Sequence, residues 1–465
     1  MRKELKFIFI LFLLGIFSVN AHAAKRYWVG ATSNSWKLKA NWSSSSGGAG
    51  GSTIPGSSDT AFFDGSATSH HRCDIDSTVN IKRLSMTGDT LSQGANTITI
   101  GSVGATLSGG VFLGGSSDIT VSGTFTISGN TFTSTSGTFS TSANLTISSG
   151  SFTHNSGTLS LTASSTLAIS RTGGVTFYNL SFAPTTTSTY TITSTTAINV
   201  SHLLSYDGSS AITVNTGNIN AKGDISITNT STSGNGTATI TINGSGTQTI
   251  TGTSTVAQGK LPNIVINKSS SDTLKLVNTI SVIGNWTYTA GKISAGTSTL
   301  YFANVLTITG NHSLYNVIFV GTTFTIASGT TLTVNGTLTT RGTGACVINT
   351  GTINAKGDIK ISNTSSAGGG TASLNINGTG NQAFTGNSAV GYGPLCKVTV
   401  NKSSGTLTLD SIISLAGGWT YTAGTISAGT STVAFYDNSQ TITGSDTLNN
   451  VTFYSSTANY TYTVA

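Results

Sequence analysis

Seven consecutive residues, His70-His71-Arg72-Cys73-Asp74-Ile75-Asp76, gather two imidazoles, a thiol and two carboxylates in the densest run of reactive side chains in this 465-residue sequence. Such groups can ligate zinc or move protons when they converge. A strand through the segment would part them, placing His71, Cys73 and Ile75 on one face and Arg72, Asp74 and Asp76 on the other. No second Cys or His pair at zinc-ligand spacing accompanies them. The alternative is a structural calcium ion held by Asp59, Asp64, Asp74 and Asp76, because hard cations take carboxylate and carbonyl oxygens.

Two further sets carry candidate chemistry. Trp286 with Tyr288, and Trp419 with Tyr421, place an indole and a phenol on one strand face, as a sugar-stacking platform would. Packing into the core competes with that role, since large apolar residues are usually inside. A polysaccharide-cleaving enzyme would instead need carboxylates converging within about 5 to 10 Å. The only glutamate is Glu4, so Asp207, Asp224, Asp272, Asp358 and Asp410 would have to supply them, and they are scattered. Asp224 and Asp358 recur in the same AKGD context, which points to a shared Gly-Asp turn. Cys73, Cys346 and Cys396 lie too far apart in sequence for a disulfide framework; Cys346 and Cys396 could pair only if the fold stacks them.

The elements that would position these groups are repeated. INAKGDI at Ile219 to Ile225 returns at Ile353 to Ile359, NKSS at Asn267 returns at Asn401, and WTYTAG at Trp286 returns at Trp419. The three displacements agree to within a single position. Self-similarity at a fixed period marks an array whose units finish their cores against one another. A shorter beat of about 20 residues spaces Leu107, Ile127 and Ile147, and likewise Phe112, Phe132 and Phe152. ITVSGTFTISG from Ile119 alternates apolar and polar residues, the pattern of a half-buried strand. Together these predict an all-β parallel β-helix, or β-solenoid, with coils of about 20 residues rising ~4.8 Å each. The hexads FYNLSF at Phe177, LYNVIF at Leu314 and LNNVTF at Leu448 mark a corner at which Asn179, Asn316 and Asn450 are expected to ease the turn.

The flanks differ. Arg2, Lys3 and Lys6, the apolar run Phe7 to Phe17 and Ala21-His22-Ala23 predict a signal peptide over residues 1–23 and an extracellular or cell-surface location. The apolar run is well short of the ~20 residues needed to span a bilayer, and no later stretch is apolar enough. Residues 24–80, with Trp28, Trp36 and Trp42, read as a small N-terminal cap. The solenoid then divides into 81–217, a long repeat 218–351, and a second, incomplete copy 352–465, whose last coil could meet another molecule end to end. Without the signal peptide, 18 basic and 13 acidic residues leave a net charge of +5, too dilute for a nucleic-acid stripe.

The motifs RYWVG, NWS, GGAGG, the Pro55 turn and DTAFFDG, with the TYTAG, SAGTST and YNV repeats, resemble large secreted bacterial adhesin-like β-strand-repeat surface proteins. That resemblance implies a cell-surface or extracellular β-solenoid, often with an adhesive or structural role. A long repeated scaffold without convergent chemistry adds the expectation of no catalysis and no cofactor beyond the calcium considered above, with a surface glycan or other cell-surface component as the partner class. A carbohydrate-binding or polysaccharide-cleaving β-helix is the alternative.

Overall fold

The computed structural model describes residues 23–194, 197–436, 439–455 and 459–465. The expected signal peptide therefore lies outside the described residues, apart from its last position. Among them the chain is a parallel β-solenoid of about 19 turns, each about 21 residues long. At ~4.8 Å per turn the rod is about 90 Å long. No helix among the described residues is long and apolar enough to cross a membrane.

Period-2 alternation explains the local structure. The strand Ile98–Leu113 supplies three hydrogen-bonded segments, and each is followed one coil later by its partner: Ile98 by Ile119, Ala105 by Phe125, and Phe112 by Phe132. Three faces therefore enclose one core. One inward row runs Ile98, Ile119, Phe139, Leu159, Leu180, Leu204, Ile225, Ile250 and Leu276, and all of these side chains are buried. Each such residue contributes ~1.5 to 3 kcal/mol of burial free energy that a lone coil could not collect. Phe112, Phe132 and Phe152 stack at 5.0 and 5.6 Å, which places like on like at the coil spacing.

The cap is continuous with the rod. Lys25–Trp28 pairs in parallel with Thr60–Phe63, which pairs in turn with Val79–Ser92. Trp28, Trp36, Trp42 and Phe63 form a buried cluster with ring centroids 4.7 to 6.2 Å apart. Both deepest indole N–H groups are satisfied, Trp28 on the His70 carbonyl and Trp42 on the Trp36 carbonyl. At the far end Val451, Phe453, Tyr454 and Val464 are among the most exposed large apolar residues.

The long repeat does not contain a whole number of coils. From Ile219 the hydrogen-bonded row passes through Ile240, Ile264, Trp286, Ile308 and Ile326, and the sixth coil brings it to Thr350. The sequence equivalent of Ile219 is Ile353, which lies beyond Thr350 and past the corner made by Thr350 (φ 68°) and Gly351. Equivalent residues of the two copies therefore lie ~30 Å apart along the rod and about one face apart around it.

Candidate functional site

The reactive segment near the N-terminus does not converge. Cys73 is buried, with its thiol pushed well above the usual range by desolvation and then by Asp74, Asp76 and Asp89. His71 points outward to Asp89 at 3.0 Å, against the expectation that it shares a face with Cys73, because the strand Arg72–Asp74 begins only after it. Arg72 pairs with Asp74 at 2.6 Å on the exposed side.

The four carboxylates considered for calcium are likewise apart. Asp59 accepts from the Ala24 and Gly56 amides, Asp64 from Ser66, Asp74 from Arg72, and Asp76 from Ser35 and the Lys37 amide. Among the described residues no group of three or more His, Cys, Asp or Glu side chains is placed to hold a metal ion.

The sugar-platform expectation for Trp286 and Trp419 is overturned, because both indoles have no exposed surface and lie in the core. Trp286 donates to His312 Nε2 at 3.0 Å and Trp419 to Asp446 Oδ2 at 3.0 Å. Tyr288 and Tyr421 are half-buried, and each hydroxyl donates at 2.6 Å to a turn carbonyl, Gly291 or Gly424. Desolvation lowers His312 to about 4 against the opposing bond to Gly310, so its ring is neutral. Cys346 and Cys396 are both free and buried, with thiols pushed up to about 12 by burial.

The recurring aspartates clip coils together. Asp224 accepts from the Thr249 amide, Asp358 from the Ala383 amide and Asp272 from the Gly246 amide, each at 2.8 Å. Asp207 gathers the hydroxyls of Ser181, Ser205 and Thr228 at 2.7 to 2.8 Å. Glycine in AKGD serves close approach, since a Cβ on Gly223 would meet the His202 carbonyl oxygen at 1.8 Å. The hexad asparagines are not in the left-handed backbone expected of a turn. Asn179 bridges Thr158 to His202, and Asn316 bridges Thr299 to the Thr337 amide, so each ties its coil to both neighbours.

Sequence reasoning missed two buried lysines. Lys268 and Lys402 are 2% and 1% exposed. The Lys268 ammonium donates to the Gly244 carbonyl and to Gln248 Oε1; Lys402 donates to the Gly378 and Gly380 carbonyls and to Gln382 Oε1. Among the described residues neither has a carboxylate partner in hydrogen-bond contact. Burial holds both below the usual lysine range, opposed at Lys268 by Asp272 and Asp224 and reinforced at Lys402 by Lys356. Each is a charged plug closing a corner. The signal was present in the repeat, where Gln248 and Lys268 return together as Gln382 and Lys402 among neutral small residues.

The surface of the rod is the remaining candidate. One outward row, Ser313, Thr333, Asn354, Asn375, Thr399, Thr420 and Thr443, presents a hydroxyl or amide in every successive coil. Its upstream equivalent, Asn199, Asn220, Thr241, Val265, Thr287 and Thr309, lies on another face and is broken only by Val265. Adjacent asparagines bond to each other, Asn220 to Asn199 at 3.1 Å and Asn375 to Asn354 at 3.2 Å, which fixes the side chains of the array. A comparison with known protein families, with characterised proteins and with solved structures finds no match to this chain.

Proposed function

We propose that this chain is a non-enzymatic extracellular or cell-surface rod that acts as an adhesin or as a surface-layer or matrix component. The observation that supports this reading is the unbroken outward row of hydroxyl and amide side chains on a stiff, self-stacked core. Such an array offers many weak, regularly spaced hydrogen bonds, which gain strength when a repetitive partner engages several at once. Four of the five carboxylates that a β-helix hydrolase would need in one groove, Asp207, Asp224, Asp272 and Asp358, are instead engaged in clipping backbone amides and hydroxyls. Export rests on the N-terminal charge and apolar pattern, and a mature protein beginning at Ala24 is its expected product.

A screen of residues 24–465 against surface glycans tests the adhesive arm, with retention on repetitive glycans expected. Silence across the array leaves the architectural role, for which self-association, read by sedimentation, is the expected behaviour. Multiple-turnover release of reducing ends from any polysaccharide would replace the proposal with the enzymatic alternative.

A further inference from the structure

A notch of about 280 Å³ in the solenoid surface is lined by Gly234, Asn235, Lys260, Ile283, Asn304 and Thr322, with Ala303 in its wall. Successive passes of the chain contribute one or two residues each. The volume is just under the span of ordinary small-molecule pockets, about 300 to 1,000 Å³.

Its polar groups are mostly unengaged. Lys260 is partly buried, and no described residue gives its ammonium a hydrogen-bond or ionic partner, in contrast to the fully caged Lys268 and Lys402. Asn235 uses its Oδ1 to accept from the Gly236 amide at 2.8 Å, which leaves its NH2 free to donate. Thr322 donates its hydroxyl to the Asn304 carbonyl at 2.9 Å and keeps its oxygen as an acceptor. Asn304 holds φ at 101°, far into the region that favours glycine, and a strained residue of this kind commonly marks a ligand site.

The second copy of the long repeat is an internal control. There Pro394 stands for Lys260, Gly369 for Asn235 and Ala416 for Ile283. A Cβ on Gly369 would lie 2.6 Å from the Ala416 Cβ, so that space is closed. The same coils fold in both copies, so the scaffold does not require a lysine and an asparagine here. A single cation beside amide donors, a hydroxyl acceptor and an apolar wall suits a singly charged, hydroxylated ring better than a sulfate or phosphate, which favours several cations or bidentate arginine.

We propose that this notch binds an acidic monosaccharide unit, with Lys260 taking the carboxylate, Asn235, Asn304 and Thr322 the ring hydroxyls, and Ile283 and Ala303 the apolar ring face. The inference does not depend on whether the rod adheres or only supports. The test is calorimetric titration of residues 24–465 with sodium glucuronate, glucose and sodium sulfate. Expected are saturable one-to-one binding of glucuronate, at least tenfold loss in Lys260→Gln, at least threefold loss in Asn235→Gly, and no change in Lys275→Gln, an exposed lysine elsewhere. Lys260→Met provides a second variant, with circular dichroism confirming the fold of each. Absence of saturable glucuronate binding, equal binding of glucose, tighter binding of sulfate, or an equal loss in Lys275→Gln each overturns it.

Discussion

Acid should loosen one coil of this rod through a single ring. His312 accepts the Trp286 indole N–H at Nε2, while its Nδ1 lies 2.7 Å from the Gly310 carbonyl and must carry the proton. The Trp286 bond needs the neutral ring, and burial, outweighing the Gly310 bond that favours the charged form, holds the folded pKa at about 4 against 6.5 for the free side chain. Between those values the unfolded chain takes up a proton that the folded chain refuses, so stability is full above pH 6.5 and falls as pH drops toward 4. At 1.36 kcal/mol per pH unit the loss is about 3 kcal/mol, more than 100-fold in the local opening constant. Because solenoids open locally, the readout is hydrogen exchange by mass spectrometry of peptides covering residues 286–314. His312→Gln keeps an acceptor for Trp286 without a titrating ring, so comparing it with the parent at each pH cancels intrinsic exchange. The parent should lose protection relative to the variant at pH 4 and match it closely at pH 7. An identical pH dependence in both proteins would refute the reasoning.

Other perturbations probe the same construction. Lys268→Met and Lys402→Met should each cost ~3 kcal/mol, because each strands the Gln oxygen and carbonyls of its corner, and the double variant should be near-additive in urea melts. Gly223→Ala should destabilise by ~2 kcal/mol or more through the 1.8 Å approach to the His202 oxygen, whereas Gly380→Ala, with nothing within 4 Å, should stay within ~1 kcal/mol of the parent. Trp286→Ala should cost ~3 to 5 kcal/mol, as expected for a core indole rather than a surface platform. Cys346 and Cys396 should resist iodoacetamide at pH 8 in the folded protein and react fully once unfolded, since burial leaves almost no thiolate.

The sequence by itself determined the winding. Leu107, Ile127 and Ile147, with Phe112, Phe132 and Phe152, return once per coil, and alternation within each strand leaves a coil that cannot bury its apolar face alone. Stacking like on like is the physical solution, and a parallel solenoid with a tryptophan-rich cap follows from it. The recurring AKGD aspartates could also be identified as structural, although their partner, an amide in the next coil, could not be named from sequence. Tertiary structure alone decided what depends on the angle around the rod. Six coils carry the row from Ile219 only as far as Thr350, short of its sequence equivalent Ile353. The second copy therefore presents its rows on a different face, and no linear alignment reveals that rotation. Whether a polar side chain at a corner turns in or out depends on the space left by two neighbouring coils. This is why Lys268 and Lys402 are sealed inside while Lys260 stands open in a notch, and why Trp286, apt in sequence for a sugar platform, is held within the core by His312.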